Sequence, residues 1–142
     1  MAAGFGAAVV IPSAVVADDE RTRQFQDAYD KLVAGAQPAP SFVKLEMPEI
    51  AENGNMVPFT VSVDSPMTEA EHVKTITILS TGNPQPVIAT FELSPISGRA
   101  VISGRLRLAR TQDIVAVALM NTGALHSGVT NVKVTVGGCG AS

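Results

Sequence analysis

The chain has 142 residues, 46% apolar and 16% charged, which suits one folded domain with a real core and excludes a disordered chain or two ordinary domains. A formal net charge of −3 without a Lys/Arg cluster excludes a nucleic-acid surface, which needs clustered basic residues, and offers no basic membrane patch. With 4% aromatics and no Trp, the core must be built from Val, Ile, Leu and Ala, material that favours strands.

Residues 1–17 carry no charge and include Ala7-Ala8-Val9-Val10-Ile11 ahead of Pro12. The run is too short to span a bilayer as a helix. It reads as the apolar and cleavage regions of an export signal, with Val15-Val16-Ala17 before a cut at Asp18, although a basic leading region is missing. The alternative is an apolar segment packed into the fold. Residues 1–17 are therefore expected to be the remnant of an export signal and the mature protein to be exported. A single cysteine excludes an internal disulfide.

Residues 18–36 predict a helix. Asp18 or Asp19 can cap its first turn, and Phe25, Ala28, Tyr29, Leu32 and Val33 recur at spacings of three and four to make one apolar stripe. Gly35 is a stop signal, and Pro38 and Pro40 prevent continuation. The stripe needs a cover, either the rest of the domain or a partner subunit.

Over residues 41–136 the apolar period becomes two. Val43, Leu45 and Met47 alternate with polar residues, as do Val57, Phe59, Val61 and Val63. Val87, Ala89, Phe91 and Leu93 share one parity; so do Ile102, Leu106 and Leu108, and Val132, Val134 and Val136. Two further segments, Val73 to Leu79 and Ile114 to Met120, alternate less cleanly. The second is apolar on both parities, as a central strand or one facing a partner would be. It and the helix stripe are the expected partner contacts. Turn residues separate the runs: Asn53-Gly54, Asp64-Ser65-Pro66, Gly82-Asn83-Pro84, Ser97-Gly98 and Asn121-Thr122-Gly123. About seven short strands so punctuated predict an immunoglobulin-like antiparallel β-sandwich, preceded by the N-terminal α-helix.

After Val136 come Gly137-Gly138-Cys139-Gly140-Ala141-Ser142. The glycines make residues 137–142 an expected flexible arm, with no apolar neighbour to draw the cysteine into a core. Extended, Val136 to Cys139 spans roughly 10 Å. No basic residue lies nearer in sequence than Lys133, so nothing local activates the thiol. That pattern suits a passive handle whose reactivity comes from the enzymes that receive it. Two rivals compete. The ending resembles a prenylation box, but Gly140 is not aliphatic and no polybasic stretch precedes it. An intermolecular disulfide stapling two copies is chemically easy in an oxidising compartment.

The stretches Val57-Pro58-Phe59-Thr60-Val61-Ser62-Val63-Asp64-Ser65-Pro66-Met67-Thr68, His72-Val73-Lys74, Asn83-Pro84-Gln85-Pro86, Gly98-Arg99-Ala100, Arg105-Leu106-Arg107-Leu108-Ala109 and Val134-Thr135-Val136-Gly137-Gly138-Cys139-Gly140 together resemble the SoxY family. These are sulfur-carrying subunits of bacterial thiosulfate oxidation. The resemblance implies an immunoglobulin-like fold, a periplasmic location and a heterodimer with a SoxZ-like subunit. It also implies three enzymes that act on the carrier: a c-type cytochrome, a manganese-dependent hydrolase and a sulfane dehydrogenase. Cys139 matches the covalent sulfur attachment site, and Gly137, Gly138 and Gly140 match its arm. The family's usual tail ends Gly-Gly-Cys-Gly-Gly, whereas Ala141-Ser142 follow Gly140 here, and no twin arginine precedes the apolar run.

Other candidates have plain readings. His72, His126 and Cys139 could bind a metal only if folding unites them, because no short ligand spacing links them. Asp64, Glu69 and Glu71 read as solvated loop carboxylates, and Arg105 and Arg107 as surface charge. No phosphate loop, nucleophile elbow or zinc motif is present, so no cofactor and no catalytic residue is expected.

Overall fold

In the computed structural model, which describes residues 13–137 and their side chains from residue 20 onward, the alternating runs pair into two sheets. The strands are β1 (Val43–Glu46), β2 (Ile50–Ala51), β3 (Val57–Val63), β4 (Val73–Ser80), β5 (Val87–Glu92), β6 (Val101–Leu106), β7 (Gln112–Met120) and β8 (Leu125–Val134). One sheet has the order β1-β3-β6 and the other β2-β8-β7-β4-β5. All pairings are antiparallel except β2 with β8.

The inward faces meet in one core. Val57, Phe59, Val61 and Val63 from β3 pack with Ile76 and Ile78 from β4 and with Ile114, Ala116, Ala118 and Met120 from β7. The molecule is thus the expected mainly-β, immunoglobulin-like sandwich preceded by a helix.

The helix α1 (Ser13–Val33) lies outside the larger sheet. Its stripe residues Phe25, Ala28, Tyr29 and Leu32 cover Leu79 of β4, Val115 and Val117 of β7, and Leu125 of β8. This corrects the expected partner contacts, because the two-sided strand β7 and the helix stripe bury each other. Four apolar residues on the outer sheet face need a cover as much as the stripe does, and burial at about 25 cal/mol per Å² favours the contact that both can make within one chain. The helix also begins at Ser13, so Asp18 and Asp19 lie inside it and do not cap it. At the far end the Ala34 amide closes on the Asp30 carbonyl at 2.9 Å, and Gly35 adopts φ 83°, the left-handed stop that its position predicts.

Three strand readings change. A bulge pairs Ile78 with Ala89 and Leu79 with Val87, skipping Ile88. Ile88 therefore packs on the core while Val87 is exposed, reversing the parity at that end. Strand β8 begins at Leu125, well ahead of the Asn131 start read from alternation, and ends at Val134, leaving Val136 exposed rather than paired inward. The third change is the short strand β2, whose two residues are too few to show alternation.

The chain between α1 and β3 crosses between the sheets. Ala39 bridges His126 of β8, β1 then joins β3 in the other sheet, and β2 returns to β8 at Lys133 and Val134. Both contacts to β8 are parallel, so residues 39–51 follow its whole edge.

Candidate functional site

The last strand leaves the sandwich beside a loop that holds it. The Lys133 amide donates to the Glu49 carbonyl at 3.0 Å, the Thr135 amide to the Ala51 carbonyl at 3.0 Å, and the Gly54 amide to the Val136 carbonyl at 2.8 Å. The Thr135 hydroxyl adds a bond to the Glu52 carbonyl at 3.0 Å. On the opposite side the Val134 amide donates to the Thr111 hydroxyl at 2.9 Å. The loop is itself tied down, since the Leu108 amide donates to the Gly54 carbonyl at 2.7 Å. Backbone groups at a strand end must find partners, and here they find them two residues past β8.

Gly137 is half-buried at the end of the described residues. Gly138, Cys139 and Gly140, the remaining residues of the expected attachment site, lie outside them, as do residues 1–12 of the expected export signal. Residues 13–17 of that segment form the first turns of α1.

Near this exit three large apolar residues are exposed among polar ones. Ile50, Met56 and Val136 are 56%, 61% and 62% exposed. Ile50 and Met56 line a shallow groove of about 430 Å³ with Pro48, Glu52, Asn53 and Pro58. In the sequence this stretch shows only the turn Asn53-Gly54. The overlooked signal was two large apolar residues stranded among Glu49, Glu52, Asn53 and Asn55.

Of the other candidates, three come together and the rest do not. Asp64, Glu71 and His126 line one small cavity of about 100 Å³ with Phe42, whose ring meets the imidazole edge-on at 4.9 Å. Glu69 contributes only its carbonyl to the Asn121 amide group, and His72 turns its Nδ1 to the Thr68 carbonyl at 2.9 Å. Among the described residues no group of three or more His, Cys, Asp or Glu is placed to hold a metal ion. Arg105 and Arg107 are exposed. Among the described residues no helix is long and apolar enough to cross a membrane.

The block Asn83-Pro84-Gln85-Pro86 proves architectural. Asn83 Oδ1 accepts from the Ala109 amide and from Gln112 Nε2, both at 2.8 Å, and its Nδ2 donates to the Arg107 carbonyl at 2.7 Å. Gln112, only 5% exposed, in turn accepts from the Gly82 amide at 2.8 Å.

Fold and exit together define the class: an immunoglobulin-like two-sheet sandwich with an outer helix and a C-terminal tail tied to the β2 loop. The family model for the sulfur oxidation protein SoxY matches residues 30–139, and the chain belongs to that family. The structure of the sulfur carrier protein SoxY from Chlorobium limicola f thiosulfatophilum is similar, with 32% identity and a TM-score of 0.64, covering 80% of this chain and 98% of that one. Superoxide reductases (neelaredoxins) share the fold alone. That from Ignicoccus hospitalis is 20% identical with a TM-score of 0.59, covering 66% of this chain and 80% of that one. An Archaeoglobus fulgidus variant is 18% identical with a TM-score of 0.53, covering 69% and 94%. A search of curated proteins by sequence finds no match.

Proposed function

We propose that this protein is a thiol carrier, which holds sulfur intermediates of thiosulfate oxidation covalently on Cys139 and presents them to partner enzymes. The observation that carries the reading is the family match, which runs through residue 139 itself. The backbone anchors ending at Val136 support it, because they hold the root of the tail on the domain three residues before the thiol. Gly137, Gly138 and Gly140 serve as the arm, with no side chain to fasten the tail to a surface.

The chemistry belongs to the partners. A thiolate and thiosulfate join in an S–S bond as two electrons leave, and the c-type cytochrome accepts them. Water then cleaves the bond between the sulfane sulfur and the sulfonate on the manganese-dependent hydrolase, releasing sulfate and two protons and leaving a persulfide on Cys139. A sulfane dehydrogenase oxidises that sulfur further. The carrier is the substrate of each step and needs no cofactor of its own. It works in the periplasm as a heterodimer with a SoxZ-like subunit.

Intact-mass analysis after incubation with thiosulfate and the oxidising partners tests the reading. One S2O3 unit is expected on the wild type and none on Cys139→Ser, with both proteins folded. An equal adduct on the variant refutes it. A reducible homodimer with no cargo on the monomer favours instead a module whose cysteine only staples two copies.

A further inference from the structure

We propose that the Asn53-Gly54 peptide is a site of deamidation, and that the last residues of the sandwich guard it by holding the Gly54 amide. The inference concerns the protein's own backbone and stands whether or not Cys139 carries cargo.

Asn53 is the one asparagine of the chain that precedes a glycine. That pair is chemically reactive in any peptide. The glycine nitrogen attacks Cγ of the asparagine, a five-membered imide closes, and ammonia leaves as the side-chain nitrogen with the glycine amide proton. Water then opens the ring at either carbonyl, which gives an aspartate or an isoaspartate at the position. No oxidant or cofactor takes part. Glycine permits the closure because it has no Cβ to crowd the attacking nitrogen. Asn55, Asn121 and Asn131 precede Met56, Thr122 and Val132, whose side chains hinder it, and Asn83 precedes Pro84, which has no amide proton.

In the folded protein three hydrogen bonds hold the reaction back. The Gly54 amide donates to the Val136 carbonyl at 2.8 Å, so the proton that must leave before the nitrogen attacks is bound. The Gly54 carbonyl accepts from the Leu108 amide at 2.7 Å, which fixes the glycine from its other side. Asn53 Oδ1 accepts from the Asn55 amide at 3.0 Å, which fixes the side-chain amide that must swing onto the nitrogen. Gly54 is buried while Asn53 is exposed, so water reaches the side chain but not the nucleophile.

The bond to Val136 decides the rate, because it opens with the least disturbance of the sandwich. Thr135 and Val136 lie past the end of β8 and are exposed, and such chain ends fray well before a core strand opens. Each opening frees the Gly54 amide. Formation of isoaspartate then makes the opening permanent. It routes the backbone through the side chain, lengthens it by one carbon and leaves a new carboxylate beside Glu52, so Gly54 no longer meets Val136. The loop thus records how long the end of the chain has been loose.

The test uses the full-length protein, kept reduced, in mildly alkaline buffer. Peptide mass mapping reads conversion at Asn53, with Asn55 as the internal control, in the folded state and in urea. Asn53 should convert readily in urea and at least about tenfold more slowly when folded, the ratio that one or two backbone hydrogen bonds supply. Thr135→Pro removes the amide that bonds the Ala51 carbonyl and the hydroxyl that bonds the Glu52 carbonyl, and leaves Val136 in place. A thermal melt checks that it folds, and Thr135→Ala, which loses only the hydroxyl, is the milder second variant. Folded Thr135→Pro should convert Asn53 several-fold faster than the wild type, with Thr135→Ala between them. Hydrogen exchange at the Gly54 amide should rise in the same order.

Conversion in urea that is no faster at Asn53 than at Asn55 overturns the site. Equal rates folded and in urea overturn the guard, and so does a variant whose Gly54 amide exchanges faster while Asn53 converts at the wild-type rate. An isoaspartate form, separated by its added charge, that still exchanges Gly54 slowly overturns the permanent release. The carrier reading survives each of these results, since neither cargo nor partner enters the measurement.

Discussion

The Val136 carbonyl accepts a hydrogen bond from the Gly54 amide at 2.8 Å, which ties the chain to the sandwich three residues ahead of Cys139. On the carrier reading, the number of residues past that tie sets how far the thiol can reach. Deleting Gly138 shortens the reach by about 3.5 Å and leaves every bond to the 49–54 loop in place. The unfolding midpoint should not move, and the thiol should still titrate with a small disulfide reagent. Loading by a partner enzyme should fall by about a hundredfold, because reacting groups misplaced by ångströms lose rate steeply. Stopped-flow or quenched mass measurements of adduct formation check it.

Gly128 of β8 passes close beneath β1. A Cβ there would stand 2.9 Å from the Val43 carbonyl oxygen and 3.1 Å from Val43 Cγ1. Backbone cannot step aside cheaply, so Gly128→Ala should destabilise the fold by about 2 kcal/mol. Gly104→Ala is the contrast. Its Cβ would meet Phe59 Cε1 at 2.9 Å, the far end of a side chain that can tilt. A loss below about 1 kcal/mol is expected there. Urea unfolding of the two variants side by side gives the ordering.

Asn83 closes the 82–86 loop onto the segment between β6 and β7 and onto Gln112 at the start of β7. Asn83→Ala removes an acceptor from the buried Ala109 amide and from Gln112, and a donor from the Arg107 carbonyl. Stranding those groups should lower stability by about 2–3 kcal/mol. Asn83→Asp keeps the acceptor oxygen and forfeits only the bond to Arg107, so it should lose less. Chemical denaturation at fixed pH distinguishes them.

Leu79 is fully buried beneath α1. Leu79→Ala should lower stability by about 3 kcal/mol, within the usual range for a core truncation. Leu32 packs in the same cluster from the helix side. A double-mutant cycle between Leu79→Ala and Leu32→Ala should show a coupling above about 0.5 kcal/mol, as residues in contact do. Protease sensitivity of the helix should rise with both. A coupling of zero would mean that the helix does not lie there in solution.

The sequence made the strands legible where one face met the core and the other met water. Strand β3 shows this plainly: Val57, Phe59, Val61 and Val63 are buried, and Pro58, Thr60 and Ser62 lie between them. Alternation failed where a second layer changed the rule. Strand β7 is apolar on both parities because α1 covers its outer face, which equally suits a partner contact in a bare sequence. The first half of β8 was illegible because residues 39–43 lie along it, and a glycine stands where a larger residue would collide with Val43. The bulge that turns Ile88 inward leaves no composition signal at all.

The C-terminal candidate was legible from local chemistry, because Gly137-Gly138-Cys139-Gly140 is contiguous and each residue's character is its own. By itself the sequence determined the sandwich class, the helix stripe and the candidate thiol, since these depend on periodicities of two and 3.6 and on neighbours along the chain. Only the tertiary structure decided that the stripe covers Val115 and Val117, that Gly54 holds Val136, and that Ile50 and Met56 stand beside the exit. Those relations join residues far apart in the chain, as Gly54 and Val136, 82 positions apart, show. Contacts at such separation depend on how two sheets and a helix share one core, which no local pattern records.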